Sequence, residues 1–172
     1  MTLPKRLLLV FVLLASSVGC DQATKQLASS TLGQGPSYSF LGDSLRLGYI
    51  ENRGAFLSLG GSLPEELRFW IFTAGVGALL LGIGIYTLAS RRLEPMRIAG
   101  FSLVLGGGIS NWVDRVVNHG QVVDFMNVGI GRLRTGVFNV ADLAIVAGIG
   151  VLIVSNWRKK QPADVPPPPT MS

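Results

Sequence analysis

No charged side chain interrupts residues 69–89. A helix rises about 1.5 Å per residue, so roughly 20 residues of this kind cross a hydrocarbon core about 30 Å thick. A membrane span is the natural fold for such a block. The rest of the chain reads the same way: its hydrophobic residues, 48% of the total against 15% charged, arrive in long blocks rather than short stripes. Residues 98–113 are uncharged and end at Asp114 and Arg115, and residues 137–157 carry one ionisable group, Asp142, ahead of Arg158, Lys159 and Lys160. With residues 7–26 as the first, the expected spans are 7–26, 69–89, 98–113 and 137–157. The fold class is therefore membrane α-helical, with four transmembrane helices and a small extracytoplasmic β-sheet and loop element. Residues 1–160 form a single integral-membrane domain, and 161–172, "QPADVPPPPTMS", is a Pro-rich tail expected to be disordered.

The first block has a competing reading. Lys5 and Arg6 precede an apolar run, and Val18, Gly19 and Cys20 resemble the lipobox at the end of a lipoprotein signal peptide. A mature lipoprotein is a tethered polar domain, however, whereas the chain after Cys20 reads as three more spans. The block is retained in this reading, with Cys20 a small apolar residue facing a helix or lipid. If it were cut, residues 1–19 would be lost and Cys20 would carry lipid.

Basic residues near the span ends set the orientation. Lys5 and Arg6, then Arg91, Arg92 and Arg97, then Arg158 to Lys160 all fall on one side, which places both termini in the cytoplasm. The opposite loops hold Arg46, Arg53, Arg68, Arg115, Arg132 and Arg134, so the bias lies in position rather than number. The net charge of +5 is accounted for by membrane lipid head groups and calls for no nucleic acid. One cysteine, Cys20, and one histidine, His119, rule out an internal disulfide and an HExxH site, and leave a Cys- or His-rich metal centre unsupported. No metal or cofactor is expected, and the chain is read as a monomer. Glycines within the spans, among them Gly106 to Gly108, Gly148 and Gly150, fit close helix packing.

Both long loops fall on the outer side. Within residues 28–67, "SLRLGYIENRGAFLSLGG" alternates apolar and polar residues as a small antiparallel sheet does, and "GQVVDFMNVGIGRLRTG" repeats the pattern within 114–136. The loop 52–61, hinged on glycines, is expected to close over a substrate.

The aspartates are the informative feature. Asp21 falls near the outer end of the first span, Asp114 at the outer end of the third, Asp124 in the loop that follows and Asp142 just inside the fourth. Counted from Val137, Asp142 lies roughly 7 Å along its helix, where a lone carboxylate is costly. Asp114 has Arg115 beside it, and Asp21 has Lys25 four residues on. Asp124 and Asp142 have no such neighbour. If those two meet, repulsion raises one pKa and leaves an acid and a base sharing a proton, an arrangement that activates water. A serine route through Lys25 and Ser58, or through His119, has no motif behind it.

Five segments in order, "DQATK" (21–25), "NRGAF" (52–56), "GGGISNWVDR" (106–115), "VVDF" (122–125) and "FNVADLAI" (138–145), resemble lipoprotein signal peptidase, the signal peptidase II family of bacterial integral-membrane aspartic peptidases. The resemblance covers about residues 5–158. It implies that Asp124 and Asp142 are the catalytic pair, and that Asp21, Lys25, Asn52, Gly54, Asn111, Asp114, Arg115, Asn139 and Ala141 shape the site or bind substrate. The implied substrate is a diacylglyceryl-modified prolipoprotein cut before its lipidated cysteine, and the implied location is the bacterial inner membrane with the site near its extracytoplasmic face. Asn52, Asn111 and Asn139 suit either substrate contact or the satisfaction of buried backbone groups. Arg53 and Ser110 depart from the family pattern. The rival from another class, a small transporter or scaffold with an aspartate ion path, calls for such residues on the inner side, where Asp164 is the only aspartate.

Overall fold

The structure is a computed structural model that describes residues 1–33, 35–54 and 60–160, the last three by backbone alone. The Pro-rich tail, Ser58 and most of the loop expected to close lie outside the described residues.

Helix α1, Leu3–Thr31, begins on a proline in its first turn and continues without a break for 29 residues. It is longer than the apolar block that predicted it, reaching back to Leu3 and on to Thr31. Val10, Ser17, Asp21, Lys25 and Ala28 are its buried stripe, so one face passes from apolar to charged along the helix. A second rod, Glu65–Ala89, joins α2 (Glu65–Arg68) through π-helical turns at Phe69–Gly75 to α3 (Val76–Ala89). There the Thr73 carbonyl accepts a hydrogen bond from Trp112 Nε1 at 2.8 Å. Gly77 makes the approach possible, since a Cβ at that position would lie 2.8 Å from the same indole nitrogen. Two further helices, α4 (Pro95–Val117) and α5 (Val140–Lys160), complete the bundle.

Among the described residues, three helices are long and apolar enough to cross a membrane: Leu3–Thr31, Glu65–Ala89 and Val140–Trp157. Helix α4 covers the expected third span and has the length, but not the uniform apolarity. It packs against α1, α3 and α5, and its buried positions include Ser102, Ser110, Asn111 and Asp114. A helix enclosed by protein meets other helices rather than lipid, which frees it from the composition that lipid demands.

Helices α4 and α5 approach closely at Gly100, Gly107 and Gly148. A Cβ on Gly107 would run into the Ala141 carbonyl oxygen and lie 2.8 Å from Ile145 Cγ1. Gly107→Ala is expected to destabilise the bundle by about 1–3 kcal/mol through overpacking. Gly82→Ala, where a Cβ meets nothing within 4 Å, should be neutral or slightly stabilising. Thermal unfolding of the two variants in detergent checks the contrast.

Arg6, read from sequence as a flank for head groups, is only 6% exposed. Its Nη1 donates to the carbonyls of Leu88 at 3.1 Å and Ser90 at 2.7 Å, and so satisfies the open end of α3.

The two long loops contribute to one antiparallel sheet in the order β1 (Tyr38–Phe40), β2 (Leu45–Asn52), β3 (Val122–Ile130), β4 (Leu133–Arg134). A register shift between Leu47 and Ile50 bends β2 and re-aims its end toward the bundle. Phe138 bridges to Met126, so α5 starts at Val140 rather than at the expected Val137. Asp142 is thus only about 3 Å along the helix, not about 7 Å.

Candidate active site

The first turn of α5 holds Asp142 through a reciprocal cap. Asn139 precedes the helix, its Oδ1 accepts from Asp142 N at 3.0 Å, and Asp142 Oδ2 accepts from Asn139 N at 3.2 Å. This is a capping box built from Asn and Asp. The other oxygen of Asp142 accepts from Asn111 Nδ2 at 2.9 Å. A carboxylate here faces the positive end of the helix dipole.

Asp124 comes from β3 and is 3% exposed. The bend in β2 brings Asn52 within reach, and its Nδ2 donates to Asp124 Oδ2 at 2.9 Å. The Phe138 bridge places Asn139 on the other side, with Nδ2 2.7 Å from Asp124 Oδ1. Asn139 therefore touches both aspartates, and among the described residues neither of them closes an ion pair with a lysine or arginine. Burial pushes the Asp124 carboxyl up to about 6, and the charge of Asp142 adds to the rise; the amides of Asn52 and Asn139 and the more distant Lys25 oppose it.

Beneath them lies a buried triad. Lys25 Nζ is 2.6 Å from Asp21 Oδ2 and 2.8 Å from Asp114 Oδ2, and it also donates to Asn111 Oδ1 at 2.8 Å. Neutral donors complete the shell: Ser110 Oγ (2.7 Å) and Ala141 N (2.8 Å) on Asp21, and Gln22 Nε2 (2.7 Å) and Val123 N (3.3 Å) on Asp114. Lys25 fixes the amide of Asn111 with its oxygen toward the ammonium, which leaves its nitrogen to donate to Asp142.

The four aspartates expected to converge do so, and the expected pairing of Asp21 with Lys25 is present. The expected pairing of Asp114 with Arg115 is not: adjacent helix residues point to different sides. Arg115 instead donates to the carbonyls of Asn111 at 3.2 Å and Gly54 at 2.9 Å, and its buried Nε has no partner among the described residues. Gly54 N in turn donates to Asn52 Oδ1 at 2.9 Å, so Arg115, Gly54 and Asn52 form a relay that steadies the amide on Asp124. Ala141 takes part through its backbone N–H, which any residue could supply, and its side chain is fully buried.

Two participants were missed. Gln22 and Ser110 bond to each other at 3.0 Å and to Asp114 and Asp21 respectively. Ser110, noted as a departure from the family pattern, here supplies a hydroxyl to a fully buried carboxylate. Their signal was weak, since a lone Gln or Ser in an apolar block has many uses. Cys20 is exposed on α1 and takes no part.

The family model described as signal peptidase (SPase) II matches residues 13–158. Similar proteins include the lipoprotein signal peptidases of Oleidesulfovibrio alaskensis, 32% identical over 90% of this chain and 98% of that one, and of Azoarcus sp., 36% identical over 86% and 81%. Among solved structures, a bacterial membrane enzyme determined by the in meso method at 2.3 Å resolution superimposes with a TM-score of 0.75 at 24% identity, covering 91% of this chain and 93% of the other. That last likeness concerns the fold.

Proposed function

The chain belongs to the signal peptidase II family and is a lipoprotein signal peptidase of the membrane, and from that premise we propose that it is an aspartic endopeptidase whose dyad is Asp124 and Asp142. One observation carries this reading: two aspartates from different elements, neither in an ion pair among the described residues, are joined through Asn139. Asp142, whose carboxylate sits at a helix N-terminus that favours negative charge, is the member that takes a proton from the attacking water. Asp124, with its raised affinity for a proton, hydrogen-bonds the carbonyl oxygen and then protonates the leaving amine. Lys25, Asp21 and Asp114 hold the frame. Asn52, Asn111 and Asn139 orient the two carboxylates.

The substrate is a prolipoprotein carrying diacylglycerol on its cysteine, cut on the N-terminal side of that residue. At about 0.8 kcal/mol per buried CH₂, two acyl chains hold the cysteine at the membrane boundary, so the reacting groups must wait at that level. The dyad fits there, with Asp142 in the first turn of a span and Asp124 on the strand above it. Positioning of basic residues supports cytoplasmic termini and a site near the extracytoplasmic face.

Cleavage of diacylglyceryl-modified and unmodified prolipoprotein in bilayers, with products identified by mass, tests the reading. Cutting is expected before the cysteine of the modified form. The kcat/KM profile should fall on its alkaline side as the free enzyme loses the Asp124 proton, from about pH 6 upward. Failure to cut a competent substrate, or a rate that keeps climbing with pH, would overturn it.

A further inference from the structure

The outer sheet has two chemically different faces. In β3, alternation puts Asp124, Met126, Val128 and Ile130 on one side. The register extends that side across the strands, since Tyr38 pairs with Leu47 and Leu47 with Met126, Phe40 pairs with Leu45 and Leu45 with Val128, and Ile130 pairs with Leu133. The opposite side carries Ser39, Arg46, Asn127 and Arg134. There Arg46 and Arg134 close on Asp43, and Arg134 Nε donates to Asn127 Oδ1 at 2.5 Å.

The apolar side is open at the end remote from the dyad. Phe40 is 47% exposed, Val128 43%, Ile130 81% and Leu133 86%, and Leu41, at the turn beside them, is 80% exposed. The turns of both hairpins meet at this end, because Gly129 N donates to Ser44 O at 2.9 Å and Arg134 to Asp43 O at 2.7 Å. Bulky apolar groups gathered in this way are unusual on a surface that faces water. Ile130 lies six residues beyond Asp124, about 20 Å along an extended strand, so the sheet reaches well past the site, and its apolar side looks the same way as Asp124, toward the bundle. A sheet that overhangs a membrane bundle with its apolar side down has lipid beneath it.

We propose that the far end of this sheet docks on the bilayer the chain spans, in the leaflet on the side of the site. Phe40, Val128, Ile130 and Leu133 rest among the upper acyl carbons, and Arg132, exposed between Ile130 and Leu133, meets lipid phosphates. The ion pairs on the upper side stiffen the end that rests there. The contact sets the height of β3, and with it Asp124, against the membrane boundary from a second point besides the bundle. It rests on the spans and the strand register, not on the roles given to the dyad.

The test uses the full chain with Cys20→Ser, which removes the only thiol. An environment-sensitive fluorophore is placed at Leu133→Cys, at Ile130→Cys, or, as a polar-side control, at Ser39→Cys. Each is reconstituted in phosphatidylethanolamine–phosphatidylglycerol nanodiscs with or without brominated acyl chains. At 130 and 133 the emission is expected to shift to the blue, to be quenched by the brominated lipid and to lose quenching by iodide, while position 39 behaves oppositely. Equal iodide quenching at all three positions, with no response to brominated lipid, would sink the proposal. So would a blue shift that survives in detergent and grows with protein concentration, since that would make the occupant a second copy of the chain.

Discussion

Asp124→Asn and Asp142→Asn are each expected to lower kcat by about 10²–10⁴-fold or more, the usual worth of a positioned acid or base. Both replacements are nearly isosteric and keep one acceptor oxygen. At position 142 that oxygen still caps α5, so the change should cost no more than about 1 kcal/mol in stability, and substrate should still bind. The two losses should not add, because a dyad acts as one unit and the double variant has little more to lose than either single one. Single-turnover cleavage with substrate binding measured separately checks this. Wild-type rates in either folded variant would remove that aspartate from the chemistry.

Lys25→Met is expected to produce the largest fall in stability, about 3–5 kcal/mol, because it leaves two buried carboxylates without their cation. Asp21 is 0% exposed and Asp114 5%, so water cannot replace the ammonium. The neutral donors from Ser110, Ala141, Gln22 and Val123 remain, and they keep the loss from being larger. Activity should fall as well, because Asn111 loses the contact that directs its nitrogen to Asp142. Adding Asp114→Asn to Lys25→Met should cost less than the sum of the separate effects, as expected for groups in direct contact. An unchanged unfolding midpoint for Lys25→Met would contradict the triad.

The parts of this architecture that were legible in the sequence are those set by local composition. Uncharged blocks specify helices because the bilayer leaves the backbone few other ways to satisfy itself, and period-two alternation in the two long loops specified strands. The convergence of Asp21, Asp114, Asp124 and Asp142 followed from the alternation of span directions. Partners were harder, since they are chosen by packing between elements. Lys25 meets Asp114 across two helices, 89 residues apart by number, and nothing near either residue announces it. Arg115 attracted Asp114 only through adjacency, which in a helix is the wrong criterion. The start of α5 was misplaced because Val137 and Phe138 are apolar enough to continue the span, while the tie of Phe138 to Met126 depends on a strand that arrives from elsewhere. Arg6 was misjudged for a related reason: its partners are backbone carbonyls at the end of α3, and carbonyls leave no mark in a sequence.

The placement of Lys25 also bears on how the chain is made. Helix α1 leaves the ribosome with Asp21 and Lys25 one turn apart, so it brings its own counter-ion and can enter the bilayer as a paired, nearly neutral segment. Asp114 follows 89 residues later, roughly 5–20 s at ordinary rates of synthesis. No lysine or arginine on its own helix closes on its carboxylate; its cation is already seated in α1. The last charge to be settled is therefore settled by assembly, and α1 serves as the template on which α4 completes its insertion.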